Sequence, residues 1–176
     1  EDMEYAAKLG RTIKLLGTSR RNADGTCYAM VAPFLIGRDS PLYSVNDVFN
    51  AVFVHGNMLG DAMFYGSGAG KLPTASAVVG DIVDAAKHLH TNIFTNWNST
   101  PAKLRPLDQV SGRFCVRVKK EVAEEAKEVF ENAEMICLDQ LPEECAFITT
   151  DMTQGEFCAK AEKLGDKVLA KIRVKD

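Results

Sequence analysis

A glycine-rich stretch, FYGSGAGKLPTAS at residues 64–76, contains the residues best suited to receive a ligand. Gly66, Gly68 and Gly70 remove the side chains that would keep another molecule away from the backbone. Pro73 suits the first position of a helix, and the free N–H groups at a helix start attract negative charge. The stretch therefore predicts a turn into a helix that accepts an anion or the polar edge of a cofactor. A tight turn without any ligand is the alternative.

Two phosphate-binding motifs are excluded at this turn. A P-loop would need glycine at position 65 and serine or threonine at position 72, where the chain has Tyr65 and Leu72. A G-x-G-x-x-G motif fails because Lys71 stands where its third glycine belongs. The sequence therefore argues against an enzyme that acts on nucleoside triphosphates.

Charge and composition exclude further classes of partner. The 176 residues include 21 Lys and Arg against 24 Asp and Glu, and no basic stripe that would suit nucleic acid. No apolar run reaches the roughly 18 residues of a membrane span, and the opening EDMEYAAKLG is acidic, unlike a signal peptide. We expect a globular, cytoplasmic protein that binds neither nucleic acid nor membrane.

The cysteines predict neither a metal site nor disulfides. They are odd in number, form no C-x-x-C pair and have no histidine at ligand spacing. We interpret them as small buried hydrophobic residues of a reducing compartment: Cys27, Cys115, Cys137, Cys145 and Cys158.

The first half of the chain must position the glycine turn. Asp2 is a candidate N-cap of a short helix that ends at Gly10. TIKLLGTSRR and TCYAMVAPFLI are predicted strands around the turn at residues 22–25, and NAVFVHG and GDAMFYG are a second antiparallel pair. A long helix follows the glycines, and we expect its apolar face to pack on a sheet: Ala75, Val79, Ile82, Val83, Ala86 and Leu89.

The second half predicts the order β-α-β-β-α-β of a split βαβ unit. In its first strand, RFCVRVKK, the alternation places Phe114, Val116 and Val118 inward. The same alternation places Cys115, Arg117 and Lys119 outward. Helical stripes are predicted on Val122, Ala126, Val129, Phe130 and Ala133, and on Phe157, Ala161 and Leu164.

The predicted fold class is α+β. A mostly antiparallel or mixed sheet with packed helices occupies residues 1–90, a linker rich in Asn, Ser, Thr and Pro covers residues 91–111, and a ferredoxin-like βαββαβ domain covers residues 112–176.

Residues 50–84 closely resemble the end of the catalytic region of homoserine dehydrogenases, and YAAKLGRTIKLLG at residues 5–17 resembles its middle. The resemblance implies an NAD(P)-dependent oxidoreductase that interconverts L-homoserine and L-aspartate 4-semialdehyde in threonine, methionine and isoleucine biosynthesis. It also implies a homodimer. The family's Rossmann domain and its catalytic-lysine segment have no counterpart in these residues. We therefore expect a C-terminal fragment that holds no catalytic residue and is inactive alone.

The family's glycine turn approaches the nicotinamide end of the cofactor, which maps onto Gly70, with Gly68 and Thr74 as neighbours. Asp61, Asp81 and Lys14 are interpreted as members of structural ion pairs or as solvent-facing residues.

The βαββαβ unit resembles the ACT domain, which in many family members senses threonine. In this chain the turn after the first strand of the unit, VKKEVAEE, lacks the Asp-x-x-Gly whose backbone usually binds the amino acid. A structural or dimerising module is therefore the alternative to a threonine-binding one. For the whole chain, the alternative to an enzyme fragment is a stand-alone amino-acid-sensing or protein-interaction module.

Overall fold

The computed structural model describes residues 1–131 and 133–175. Its helices and strands, in chain order, are α1 (Asp2–Lys8), β1 (Arg11–Arg21), β2 (Cys27–Gly37), β3 (Phe49–Gly56), β4 (Gly60–Ser67), α2 (Lys71–Lys87), β5 (Ser111–Lys119), α3 (Ala123–Val129), β6 (Ile136–Leu138), β7 (Leu141–Ile148), β8 (Met152–Thr153), α4 (Gln154–Leu164) and β9 (Val168–Lys175). They form two compact units. We call Glu1–Tyr43 with Ala102–Asp176 the sheet unit, and Ser44–Pro101 the hairpin–helix unit.

The sheet unit is built on one mixed sheet with the strand order β1-β2-β9-β5-β7-β6. The last four strands carry the predicted βαββαβ order and lie in the arrangement of a ferredoxin-like module, which confirms the α+β fold class. Strand β2 pairs in parallel with β9, at Phe34–Ile36 against Arg173–Lys175. This pairing covers the outer edge of β9, and it joins the N-terminal hairpin and the module in a single sheet.

Helices α3 and α4 cover one face of this sheet. The core between them contains Phe114, Val116 and Val118, each at most 2% exposed, as the alternation predicted. Phe114 stacks on Phe157 of α4 with 4.4 Å between ring centroids. Both predicted helical stripes pack into this core: the first consists of Val122, Ala126, Val129, Phe130 and Ala133, and the second of Phe157, Ala161 and Leu164.

Helix α1 covers the opposite face, where Ala6 packs with Leu35 and Val174. The prediction that Cys115 and Arg117 point outward is therefore wrong, because α1 lies over their side of β5. Cys115 packs against this second cluster, and the side chain of Arg117 is only 12% exposed. Period-2 alternation marks two faces of a strand, and both can be covered.

Helix ends also differ in detail from the predictions. Glu1 rather than Asp2 is the N-cap of α1, whereas Gly10 takes the expected left-handed conformation with φ 65°. Helix α4 begins with a capping box, in which the amide of Glu156 donates to Thr153 Oγ1 and the amide of Thr153 donates to Glu156 Oε2.

The hairpin–helix unit consists of the antiparallel pair β3–β4 and helix α2. Its residues 44–101 include no buried side chain. The expectation that α2 packs its apolar face on a sheet is therefore wrong for this chain: Val79 is 57% exposed and Ile82 is 62% exposed. Helical periodicity identifies the apolar face of a helix, but it does not identify the surface that covers this face.

Candidate cofactor-binding turn

The glycine turn joins the end of β4 at Ser67 to the start of α2 at Lys71. Gly70 is the N-cap of α2, with φ 121° and ψ 149°, a conformation essentially restricted to glycine. The amide of Thr74 donates to the Gly70 carbonyl at 3.1 Å and closes the first helical turn. Gly70 therefore fixes where the helix begins.

Pro73 is the third helical residue instead of the first, so that part of the prediction is wrong. Proline fits anywhere in the first turn, because the N–H groups there have no helical acceptor. Since Pro73 has no N–H and Thr74 uses its own within the turn, the helix leaves the N–H groups of Lys71 and Leu72 for an external acceptor.

Gly68 is held against the neighbouring strand. Its amide donates to the Val48 carbonyl at 3.1 Å, and the Asn50 side-chain amide donates to the same carbonyl at 3.3 Å. A Cβ on Gly68 would lie 2.6 Å from Asn50 Cγ. A side chain at this position would therefore displace the Asn50 side chain from its hydrogen bond with the Val48 carbonyl.

The outer side of the turn is open. A Cβ on Gly66 would meet no atom within 4 Å, and Gly66, Lys71 and Thr74 are all exposed. One cavity lies beneath α1, and an open depression lies on the β1–β2 hairpin at residues 17–19 and 29–31. The turn presents an exposed backbone surface that can receive a flat or anionic group, with no enclosing wall from its own unit.

Two pairs of polar groups in the hairpin–helix unit make local contacts. Asp61 Oδ1 lies 2.5 Å from His55 Nδ1 across β3 and β4, a local contact between two exposed side chains. His88 Nδ1 lies 2.9 Å from the Asp84 carbonyl at the C-terminal end of α2.

Residues 1–131 and 133–175 contain no group of three or more His, Cys, Asp and Glu that could hold a metal ion. All the cysteines are free. The predicted burial is confirmed for Cys145 and is wrong for Cys137, which is exposed, while the other three are half-buried: Cys27, Cys115 and Cys158. Over the same residues, no helix has the length and apolarity needed to cross a membrane.

The turn between β5 and α3 is tied to another turn of the module. Glu121 Oε1 accepts a hydrogen bond from Lys167 Nζ at 2.5 Å, which links this turn to the one between α4 and β9. The hydrogen bond lowers the pKa of Glu121 and raises the pKa of Lys167. The place where an ACT domain would meet an amino acid therefore contains an ion pair of the chain's own side chains.

Comparison with known proteins points to one family. A family model for homoserine dehydrogenase matches residues 1–83, which include the glycine turn and most of α2. A homoserine dehydrogenase of Neisseria gonorrhoeae is 38% identical over 126 residues, and one of Synechocystis is 47% identical over 109 residues. These matches cover 67% and 60% of this chain, but only 29% and 24% of those relatives.

Solved structures agree with this result. The homoserine dehydrogenase of Thiobacillus denitrificans superposes with a TM-score of 0.79 at 27% identity, over 99% of this chain and 45% of that one. A Staphylococcus aureus homoserine dehydrogenase gives a TM-score of 0.71 at 27% identity, over 99% and 44%. The similarity thus extends beyond the residues that the family model matches and includes the C-terminal module. Residues 1–83 therefore belong to the homoserine dehydrogenase family, and the chain as a whole is similar in fold to solved homoserine dehydrogenases.

Proposed function

We propose that the chain is part of an NAD(P)-dependent enzyme that interconverts L-homoserine and L-aspartate 4-semialdehyde. The observation that carries this proposal is the family match over residues 1–83, with the glycine turn inside it. This chemistry serves the biosynthesis of threonine, methionine and isoleucine, and we propose a cytoplasmic location for it.

The residues of the turn fit a dinucleotide cofactor. The glycine backbone at Gly66 and Gly70 lets a flat ring approach closely, and the free N–H groups at the start of α2 favour a negative or polar edge. We propose that Gly70 makes the closest approach, with Gly68 and Thr74 beside it. When bound, the nicotinamide supplies hydride transfer at its C4 atom. The chain's residues hold one face of that ring and contribute no acid–base group.

The exposed apolar surface of the hairpin–helix unit supports a role within a larger assembly. An amphipathic helix without buried residues needs a covering surface, since monomeric proteins rarely leave large apolar patches open. The chain spans less than a third of the curated relatives it matches. We propose that α2 is covered by the parts of the enzyme beyond these residues, and that the enzyme is a homodimer.

We propose the following organisation for the chain. Residues 1–90 belong to the catalytic and dimerisation region, and residues 112–176 form an ACT-like regulatory domain. Residues 91–111 form the linker between them. Threonine remains a candidate effector. The Glu121–Lys167 ion pair lies at the turn where an ACT domain would bind an amino acid, and it therefore argues for a structural or dimerising module. Titration calorimetry with threonine separates the two possibilities, because only a sensing module releases or absorbs heat with saturation.

A chimera tests the proposed activity. The matching segment of the Neisseria gonorrhoeae homoserine dehydrogenase is replaced by this chain, and homoserine-dependent reduction of NAD or NADP is followed by absorbance. We expect an active chimera, whereas the 176-residue chain alone has no activity. Gly70→Val in the chimera should raise KM for the cofactor, and Gly80→Ala, in the middle of α2, is the matched control. A folded chimera without homoserine oxidation would contradict the proposal.

A further inference from the structure

Helix α1 is attached to the sheet through few contacts. It has seven residues, and its N-cap Glu1 provides no side-chain hydrogen bond. Only Tyr5 and Ala6 are buried. A helix of this length is not stable by itself in water, so contacts with the sheet must hold it in place.

Arg117 on β5 provides the polar part of those contacts. Its Nε donates to Asp2 Oδ1 at 2.9 Å, and its Nη1 donates to Glu144 Oε2 of β7 at 2.6 Å. Its Nη2 also lies 3.9 Å from Glu1 Oε2. Burial disfavours the charge of Arg117, but the hydrogen bonds to Glu144 and Asp2 outweigh burial and raise the pKa of the guanidinium. One permanently charged group therefore joins the start of α1 to two strands.

The apolar part of the same interface is incompletely packed. A cavity of about 10 Å³, the size of one water molecule, lies between α1 and the sheet, lined by Tyr5, Ala6, Cys115 and Arg117 among others. The Tyr5 hydroxyl is buried there and has no hydrogen-bond partner in the described part of the chain. The cavity leaves part of the interface between α1 and the sheet without packing contacts, so the interface is held less tightly there.

We propose that Arg117 is a positioning residue whose ion pairs hold α1 on the sheet, and that α1 opens as a local unit when they are broken. Such local openings leave the rest of a fold intact. The proposal concerns this interface and does not depend on the proposed dehydrogenase activity.

Two cysteines on opposite faces of the sheet distinguish local opening from global unfolding. Cys115 lies beneath α1, whereas Cys145 is fully buried in the core under α3 and α4. Burial raises the pKa of the Cys115 thiol to about 11, with a further contribution from Asp2. Undocking of α1 exposes this thiol and restores its ordinary reactivity, because the thiolate is the form that reacts.

The experiment measures iodoacetamide alkylation of each cysteine by peptide mass spectrometry in the full 176-residue chain. Arg117→Met should raise the Cys115 rate by about tenfold or more, the scale expected for lost charge-assisted hydrogen bonds, and should leave Cys145 unchanged. Arg117→Lys keeps the charge and should give an intermediate rate. Lys167→Met breaks the exposed pair with Glu121 in the same module and should change neither rate.

Asp2→Asn provides a second test that leaves β5 untouched. It weakens one ion pair and should raise the Cys115 rate several-fold at a constant Cys145 rate. Loss of the Asp2 charge also lowers the pKa of the Cys115 thiol, so opening must in addition appear as faster hydrogen exchange of the Leu9 amide, which donates to the Tyr5 carbonyl in α1. An unchanged Cys115 rate in Asp2→Asn and Arg117→Met would overturn the proposal. A parallel rise of Cys115 and Cys145 in Asp2→Asn would also overturn it, since α1 would then open only with the whole unit. If Arg117→Met does not fold, Asp2→Asn decides.

Discussion

Replacing Gly70 by alanine tests whether this residue sets the start of α2. Gly70 has φ 121° and ψ 149°, and a residue with a Cβ held in such a region costs about 1–3 kcal/mol. The new Cβ would lie 3.4 Å from Pro73 Cδ, which is close to ordinary contact, so steric overlap adds little. We expect Gly70→Ala to reduce the local stability of the first turn of α2 by about 2 kcal/mol.

The assay is hydrogen–deuterium exchange of the Thr74 amide, followed by NMR. This amide donates to the Gly70 carbonyl at 3.1 Å, so it reports directly on the turn. A loss of about 2 kcal/mol corresponds to roughly 30-fold faster exchange through local opening. Amides in the sheet unit should keep their rates, because the substitution lies outside that unit.

Two other glycines serve as matched controls. Gly66→Ala places its Cβ in open space at an ordinary backbone conformation, so the Thr74 exchange rate should not change. Gly80→Ala lies inside α2 and also meets no atom, so it should slow exchange across the helix by the propensity difference of about 1 kcal/mol. If Gly80→Ala slows exchange but Gly70→Ala leaves Thr74 unchanged, the role assigned to Gly70 is wrong.

Three further predictions concern the sheet unit. Phe157→Ala should lower the free energy of unfolding in urea by about 4 kcal/mol, since this ring is 1% exposed and stacks on Phe114; a loss below about 2 kcal/mol would contradict the packing. Thr153→Ala should cost about 1 kcal/mol in the same assay through the lost cap, whereas Thr153→Ser should be nearly neutral. Hydrogen bonds from Thr26, together with Arg105, lower the pKa of Asp24 to about 2. The stabilisation from Asp24 is therefore present above the ordinary carboxyl pKa near 4 and is lost as the pH falls towards 2. Carboxyl NMR should show that midpoint, and Arg105→Met should raise it.

The sequence was sufficient to predict the βαββαβ module because its signals are local. Alternation in β5 identifies the core side of Phe114, Val116 and Val118, and these residues are buried as predicted. The stripe of α4 on Phe157 and Leu164 needs no information from elsewhere in the chain. The hydrophobic periodicity of a segment predicts its buried side chains correctly wherever another element covers the apolar face.

Contacts between distant segments could not be predicted in this way. Arg117 was assigned to the outer face because a charged residue usually faces water, yet α1 supplies Asp2 and Glu1 to cover it. The parallel pairing of β2 with β9 has no local signature either, since β2 is apolar along nearly its whole length and many partner strands would fit.

The glycine turn contains one feature that could be predicted from the sequence and one that could not. The sequence located the turn and the helix that follows it, because glycine and proline have strong local effects. It could not predict that Gly68 packs against the Asn50 side chain, since that contact involves the paired strand. The roles of Gly70, Gly68 and Thr74 in cofactor binding remain predictions.

The pairing of β2 with β9 has a consequence for synthesis on the ribosome. Phe34 emerges from the exit tunnel long before Arg173, its neighbour in the finished sheet. Until residues 168–175 have been made, β2 and β5 each have an open edge that can recruit another nascent chain. A message truncated before Val168 would therefore yield an aggregation-prone product that depends on chaperones.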